Sequence, residues 1–432
     1  MVDILPFRGI RYDPAAAGAS LYQLAAPPYD VISPAEQDAL YAKHPANVVR
    51  LILGREEDKY AQAARLFREW LASGILKTEE TPSMYVYRQK FDDPVTGQPV
   101  PERYGLICLL KLEDYSTGRV LPHEKTLTGP KADRLDLLRA TEAQFESIHG
   151  LFSDPDSAVR SFIQEYDDRE DVIERVDDLL GSTHKVERIA DADAQAVLKE
   201  LMADKSVFIA DGHHRYETAL TYQQEQAKAT AGSPQPADYI LVTLTAFEDE
   251  GLLVLPTHRL VRGVPEEKIA ALPAALAQFT LSGSHLGTIE AEIAQQAASG
   301  KTAFGVLLPS LVHLAVLTAD PSASSAAERL PVSLLGTLIL DGCLGIDAAK
   351  VADGSHVSYT REISEAAQAV ANGDAQAAFV LGRPLVKEVE AVSLAGDVMP
   401  QKSTFFYPKL LSGLVLRDLR DPLALDQSQE AS

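Results

Sequence analysis

Residues 206–216 read Ser206-Val207-Phe208-Ile209-Ala210-Asp211-Gly212-His213-His214-Arg215-Tyr216. Ser206 to Ala210 is a compact apolar run of strand length, closed by an acid, a glycine and three residues able to carry positive charge. Helical spacing resumes at Tyr216, Ala219, Leu220 and Gln223, so the polar block sits at a strand-to-helix junction. In α/β arrangements ligands gather at the C-terminal ends of strands, and the following helix offers N–H groups outside its own ladder together with a partial positive charge. Gly212 permits close backbone approach, while His213, His214 and Arg215 add donors within one turn; together they describe an anion cradle suited to phosphate. Asp211 is placed to hold a divalent ion or accept a proton. The adjacent histidines make a weak zinc pair, because neighbouring helical residues point apart whereas metal ligands on one helix recur at i+3 or i+4. The plain alternative is a capped helix start with solvated histidines.

Working outward, the pattern alternates between strand-like and helix-like runs. Ser33-Pro34-Ala35-Glu36 carries an N-cap, a proline at the first helical position and a capping-box glutamate, which predicts a helix over 34–43. Tyr60, Ala63, Ala64, Phe67, Trp70, Leu71 and Ile75 repeat with helical spacing, making Trp70 a core anchor. Met84 to Phe91 and Tyr104 to Leu112 read as a hairpin across the turn-rich 92–97. A helix is expected from about Ala132 to Ser147, and the acidic stretch 153–201 reads as mostly helical, its charges forming a solvated face. Asp238 to Phe247 and Leu252 to Val261 read as strands, and alternating elements continue to about 395. The expectation is a mixed α/β (α+β) chain: a phosphate-binding domain over 1–262 with a helical insertion at about 131–201, a smaller C-terminal α/β domain over 263–420, and a flexible tail over 421–432.

Composition narrows the partners. The 432 residues carry Lys+Arg 40 against Asp+Glu 62, a formal net charge of −22, with pI ≈ 4.9 and mean hydropathy −0.07. A chain that is 46% hydrophobic can bury enough surface to fold. Its acidity argues against nucleic acid, which needs clustered Lys and Arg to neutralise phosphates. No apolar run has the length of a spanning helix or a secretory leader, so a cytoplasmic location and no membrane partner are expected. With Cys108 and Cys343 alone, neither a disulfide framework nor a four-cysteine zinc site is possible.

Other stretches concentrate chemistry. His123-Glu124-Lys125-Thr126, with Lys131, Asp133 and Arg134, is rich in cations for so acidic a chain and suits a loop folding over a phosphate-bearing ligand. Pro27-Pro28-Tyr29-Asp30 puts a carboxylate on a stiff loop; Thr257-His258-Arg259 follows a strand; Lys402-Ser403-Thr404 with Tyr407 and Lys409 offers a remote phosphate contact. Each has a structural alternative: an exposed loop, a plain turn, or a sheet edge with snorkelling lysines. There is no Walker A loop, dinucleotide glycine fingerprint, protein-kinase set or nucleophile elbow.

The box Asp211-Gly212-His213-His214-Arg215-Tyr216-Glu217-Thr218-Ala219 resembles that of domain of unknown function family 1015. The resemblance continues through Leu5-Pro6-Phe7-Arg8-Gly9, Ala26-Pro27-Pro28-Tyr29-Asp30-Val31-Ile32, His123-Glu124-Lys125-Thr126, Pro256-Thr257-His258-Arg259 and Met399-Pro400-Gln401-Lys402-Ser403-Thr404, covering almost the whole chain. More distantly the box is similar to the phosphate-binding box of the ParB/sulfiredoxin superfamily, which implies a ParB/sulfiredoxin-like core. The sulfiredoxin reaction lacks its nucleophile here, because His213 stands where that family has cysteine. Free-serine kinases of the superfamily carry an Asp-Gly-His-His-Arg-like box, matching Asp211 to Arg215 residue by residue. The resemblance therefore implies phosphoryl transfer to the hydroxyl of a small polar metabolite, with free L-serine as acceptor and ATP, ADP or pyrophosphate as donor with Mg2+. In that scheme Gly212, His213, His214 and Arg215 hold phosphates with His123, Lys125 and Arg134, Asp211 orients the hydroxyl or the metal, and Glu124 or Asp30 is the alternative base. A nucleotide-binding regulatory protein without chemistry is the rival. Asp211 and Arg215 are expected to be replaceable at a cost of no more than roughly 1 kcal/mol.

Overall fold

The computed structural model describes residues 2–124, 128–166, 172–179, 181–227, 234–319, 325–400 and 402–425. The expected tail at 421–432 therefore lies largely outside the described residues, as do Lys125 and Gln401. Contacts divide the chain into one unit of Met1–Pro122, Thr126–Leu253 and Pro408–Ser432, and a second of His123–Lys125 and Val254–Tyr407.

The first unit is built on a mixed sheet of nine strands: β1 (Ile4–Leu5), β2 (Met84–Phe91), β3 (Arg103–Lys111), β4 (Val120–Pro122), β5 (Ile148–Phe152), β6 (Val172–Leu179), β7 (Ser182–Ile189), β8 (Val207–Asp211) and β9 (Tyr239–Ala246). Their order is β4-β8-β5-β9-β3-β2-β7-β6, with β1 paired to β3. The expected hairpin forms as β2 and β3, with Tyr85 opposite Ile107. Because side chains alternate across a strand, one set of residues (Tyr85, Tyr87, Ile107, Leu109, Leu241) enters one core. The intervening set (Met84, Val86, Leu106, Cys108, Leu110, Val242, Leu244) enters another. Apolar layers on both faces explain why β3 and β9 read as continuous hydrophobic runs. Cys108 is fully buried, and burial pushes its thiol up and out of reach of ionisation.

Four helices matter for the site: α1 (Pro34–Lys43), α2 (Lys59–Ala72), α3 (Thr128–Thr141) and α4 (His213–Ala227). The capping box at the start of α1 is present, with Ser33 and Glu36 exchanging hydrogen bonds. On α2, Ala63, Phe67 and Trp70 face the core, and Trp70 packs 6.1 Å from Tyr12.

Three expectations change. The stretch 153–201 is not mostly helical, because β6 and β7 form a hairpin inside it. Buried Ser182, His184 and Val186 alternate with the less buried Thr183 and Lys185, and that period-2 start prevails over charge density. The acidic run 167–171 lies outside the described residues. The helix expected to reach Ser147 ends at Thr141, and Glu142 turns the chain with φ +50. The C-terminal segment from Pro408 groups with the first unit rather than the second: Leu411, Leu414, Val415 and Leu416 enter its core, and Leu416 exchanges backbone hydrogen bonds with Ile10.

The second unit has a six-stranded sheet of β10 (His258–Val261), β11 (Phe279–Gly283), β12 (Ala303–Leu308), β13 (Leu311–Leu317), β14 (Val357–Thr360) and β15 (Ala377–Val380), ordered β11-β13-β12-β15-β10-β14. Its two faces again carry separate cores, Phe304, Val306 and Phe379 on one, Leu307, Ala378 and Val380 on the other. The strand expected over 252–261 is interrupted at Pro256 and Thr257, so His258 opens β10. No helix among the described residues is long and apolar enough to cross a membrane.

The return of the C-terminal segment is testable with the single tryptophan, Trp70. Leu416→Ala removes a fully buried side chain and is expected to cost about 2–5 kcal/mol. Urea unfolding followed by Trp70 fluorescence measures it; an unchanged midpoint would refute the packing described.

Candidate functional site

Asp211 is the last residue of β8, and its partner across the antiparallel ladder with β5 is His149. Gly212 then turns the chain at φ +92, and α4 begins at His213 with Tyr216 N donating to Gly212 O at 2.9 Å. A side chain at Gly212 is excluded twice: the backbone lies in the left-handed region, and a Cβ would stand 2.8 Å from Ile148 Cγ2. The junction read from sequence is therefore present, with His213 buried and His214 half-buried in the first turn of α4.

Around it lies a set of paired charges. Arg215 Nη2 donates to Asp211 Oδ2 at 2.8 Å and Nη1 to Ser147 O at 2.7 Å, while Lys409 Nζ donates to Asp211 Oδ1. Lys409 arrives on the returning C-terminal segment, and its carbonyl accepts from Gln89 Nε2 at 3.2 Å. Burial alone would raise the Asp211 carboxyl, but Lys409 and Arg215 outweigh it and hold the group well below the usual carboxylate range. Asp211 is consequently a poor proton acceptor and a good organiser of cations. His149 lies on the same strand pair, its Nε2 3.1 Å from Thr245 Oγ1. Burial first, then the cations Arg103, Lys409 and Arg215, push the His149 imidazole far down, so it stays neutral.

The Pro27-Pro28-Tyr29-Asp30 loop joins this site through Glu146. Glu146 Oε1 accepts from Tyr29 N at 3.0 Å and from Ser412 Oγ at 2.9 Å. Arg134 stacks its guanidinium 4.0 Å from the Tyr29 ring centre, donates from Nη1 to Ile52 O at 2.8 Å and is paired with Asp133. Burial pushes the Tyr29 phenol up to about 12. Asp30 is exposed in the short helical turn after Pro28. Burial works against the charge of Arg215, but Glu146, Asp211 and Asp30 more than restore it, leaving its pKa raised. A cavity of ≈ 60 Å³ opens between Arg134, Glu146, Arg215 and the α4 residues Thr218 and Ala219. A wider groove of ≈ 850 Å³ between α2 and α3 is lined by Tyr60, Ala64, Arg68 and Arg139. Arg139 there is paired with Asp136 and Glu225 on the surface, so that groove lacks convergent buried polar groups.

The predicted residues thus divide. Asp30, Arg134, Asp211, Gly212, His213, His214 and Arg215 belong to the first unit, and His123 and Glu124 to the second. There His123 is fully buried, its Nε2 2.9 Å from Thr404 Oγ1 and its ring against Phe406. Glu124 bridges Met399 and acts electrostatically on Arg259, whose Nη2 donates to Lys402 O at 3.1 Å. Burial lowers Arg259 to about 10, Tyr359 and Glu124 opposing it. The 123-, 257- and 399-blocks therefore meet within the second unit.

The residues missed from sequence are Glu146 and His149. Glu146 was hidden by extending α3 to Ser147, past its true end, and His149 just beyond was not singled out; the local signal was the apolar strand restarting at Ile148. The expectation that Asp211 and Arg215 are replaceable at little cost is also overturned, because their side chains are 15% and 12% exposed and joined with Lys409 in one network.

The family model described as Protein of unknown function (DUF1015) matches residues 4–335. No curated protein matches the chain. Among solved structures, a conserved hypothetical protein from Pyrococcus furiosus is similar at TM-score 0.35 and 14% identity, covering 70% of this chain and 93% of that one. A free serine kinase in complex with AMP gives 0.36 and 13%, covering 67% and 84%. SbnI with C-terminal truncation from Staphylococcus aureus gives 0.36 and 11%, covering 75% and 92%.

Two measurements check the site. Asp211→Asn removes the carboxylate charge shared by Arg215 and Lys409 and is expected to cost about 3 kcal/mol at neutral pH. Since the folded Asp211 value lies below the unfolded one of about 3.9, the network's contribution is complete above that pH and is lost as pH falls further. Urea midpoints of the two proteins should accordingly converge below about pH 4; a gap independent of pH would contradict the ion pairs. Gly212→Ala is expected to destabilise by about 1–3 kcal/mol through strain, read from the same titrations.

Proposed function

The chain belongs to the family described as Protein of unknown function (DUF1015), and for this member we propose phosphoryl transfer from a phosphoanhydride donor to the hydroxyl of a small polar metabolite, free L-serine being the acceptor. The observation that carries the reading is the strand-end constellation of Asp211, Gly212, Arg215 and Lys409 at the start of a 15-residue helix. Phosphoryl transfer asks little covalent chemistry of a protein. It asks for positioning and for donors aimed at the charge on the transferring group. The first turn of α4 supplies helix N–H groups and positive dipole; Arg215 and Lys409 supply charge, and Gly212 keeps the approach clear. The acceptor is assigned from the box itself, whose Asp-Gly-His-His-Arg order resembles that of free-serine kinases.

In this scheme Asp211 positions rather than abstracts. Held between Arg215 and Lys409, it fixes both cations against the phosphates and keeps a lone pair on each oxygen for one further ligand. No three His, Cys, Asp or Glu side chains among the described residues gather as a metal cage. A divalent ion carried on the donor's phosphates would meet Asp211 as a protein carboxylate. Bound so, magnesium supplies further neutralisation of phosphate charge. The carboxylates facing Arg215 besides Asp211 are Glu146 and Asp30, and they are the available proton acceptors in the first unit. Glu124 acts within the second unit and enters no step here.

The test is incubation with L-serine and each of ATP, ADP and pyrophosphate, followed by mass spectrometry for phosphoserine. Product is expected with at least one donor, and Lys409→Ala should reduce kcat/KM on the order of 100-fold or more, as loss of a charge-stabilising donor does. Absence of product with all three donors would sink the proposal. Tight nucleotide binding without product would instead describe a regulatory nucleotide-binding protein.

A further inference from the structure

Two of the residues that line the cavity beside Arg134, Glu146 and Arg215, each keep a polar atom that makes no hydrogen bond within the protein. Glu146 has a side chain 7% exposed. Its Oε1 is saturated by Tyr29 N and Ser412 Oγ, whereas Oε2 has only Arg134 Nη1 at 4.0 Å, beyond hydrogen-bond distance. Arg215 uses Nη1 on Ser147 O and Nη2 on Asp211, while its Nε is buried with no hydrogen-bond partner. Glu146 acts electrostatically on Arg215, yet no hydrogen bond joins the two side chains. A buried guanidinium N–H left unpaired costs on the order of 1–3 kcal/mol unless something completes it. Glu146, an acceptor, and Arg215, a donor, both line a gap of ≈ 60 Å³, room for a small polar group or a few waters.

The group that both donates to a carboxylate and accepts from a guanidinium is a hydroxyl. We propose that this gap is the seat of the acceptor hydroxyl, with Glu146 as the catalytic base, an inference that rests on the phosphotransfer reading above. The hydroxyl donates its hydrogen bond to Glu146 Oε2 and accepts one from Arg215 Nε–H. In the transfer its oxygen forms the new bond to the terminal phosphorus of the phosphoanhydride donor, and the bond from that phosphorus to the bridging oxygen breaks. The leaving phosphate keeps the electron pair, and the hydroxyl proton passes to Glu146 and then to water. Arg215 thereby touches both reactants, the hydroxyl through Nε and the phosphates through the face it shares with Asp211 and Lys409. Asp30 is less suited to the role because it is exposed, and water competes for its lone pairs.

Glu146→Gln keeps an acceptor oxygen for Tyr29 N and Ser412 Oγ while removing the base. Ala219→Val narrows the cavity from α4 and leaves residue 146 a glutamate. Both are to be compared with wild type for phosphoserine formation, for ADP affinity and for L-serine binding by calorimetry. The expected result is a kcat lowered about 100- to 10,000-fold in Glu146→Gln, L-serine affinity lowered at least tenfold in Ala219→Val, and ADP affinity unchanged within threefold in both. Turnover by Glu146→Gln within threefold of wild type would overturn the assignment. If wild type makes no product, the phosphotransfer reading fails separately. L-Serine binding that is present in wild type and lost in both variants would then still support the hydroxyl seat. Binding that is absent, or equal in all three proteins, would overturn it.

Discussion

A carboxylate at the end of a buried strand, held between two cations from distant parts of the sequence, is the constraint on which this site depends. Asp211 alone would be costly where it stands, since burial disfavours its charge. Arg215 from the first turn of α4 and Lys409 from the returning C-terminal segment make it tolerable. That pairing fixes several things at once. It sets how α4 leaves the sheet, it requires Gly212 at a conformation and spacing no other residue meets, and it brings the segment after Pro408 against β2 and β3. The neighbouring Arg103, fully buried, donates to Gln89 and to the Pro408 carbonyl and so braces the same segment from below.

Such a network changes what the cation-rich box can do. Read as a list of residues, Asp-Gly-His-His-Arg offers a base and three free cations. Read as a geometry, Asp211 is already committed and its acidity is too low a threshold for proton abstraction at neutral pH. A phosphate arriving at the helix start must share Arg215 and Lys409 with Asp211. Exchanging one ionic partner for another avoids the penalty of a buried cation left uncompensated, so this sharing is less costly than creating a cation site from nothing. In the reading proposed above, proton abstraction therefore passes to a carboxylate not clamped between two cations, and Glu146 is the proposed one.

Much of this was legible in the sequence. The strand, glycine turn and helix at 206–227 follow from an apolar run, a breaker and resumed helical spacing, and the capping box at Ser33 forms as written. Strands β3 and β9 announced themselves as uninterrupted apolar runs because both faces of the sheet are covered. What the residues hid was of three kinds. Charge density in 153–201 masked a hairpin whose alternation is carried by Ser182 and His184, polar residues that a hydrophobic pattern does not count. The end of α3 has no proline or glycine to mark it, since Glu142 itself takes the positive φ, and so Glu146 and His149 were assigned to a helix or left unremarked. Long-range pairing was the third: nothing local says that Lys409 returns to Asp211, 198 residues away, or that His123 pairs with Thr404 in the second unit.

The acidic composition takes on a different meaning in this light. A chain of net charge −22 suggested a cationic pocket inside an acidic exterior, with the cations of 123–134 and 213–215 acting together. The first segment divides between the two units, and the cations that remain near Asp211 are balanced locally: Arg134 by Asp133 and Glu146, Arg215 and Lys409 by Asp211. A site so balanced projects little field beyond the Debye length of about 8–10 Å and has nothing to draw an extended polyanion toward it. Its hold on a phosphate is short-range, through the directions of N–H groups that are already fixed before a ligand arrives. Preorganisation rather than net charge is therefore what the fold contributes, and it explains why so much structure converges on one aspartate.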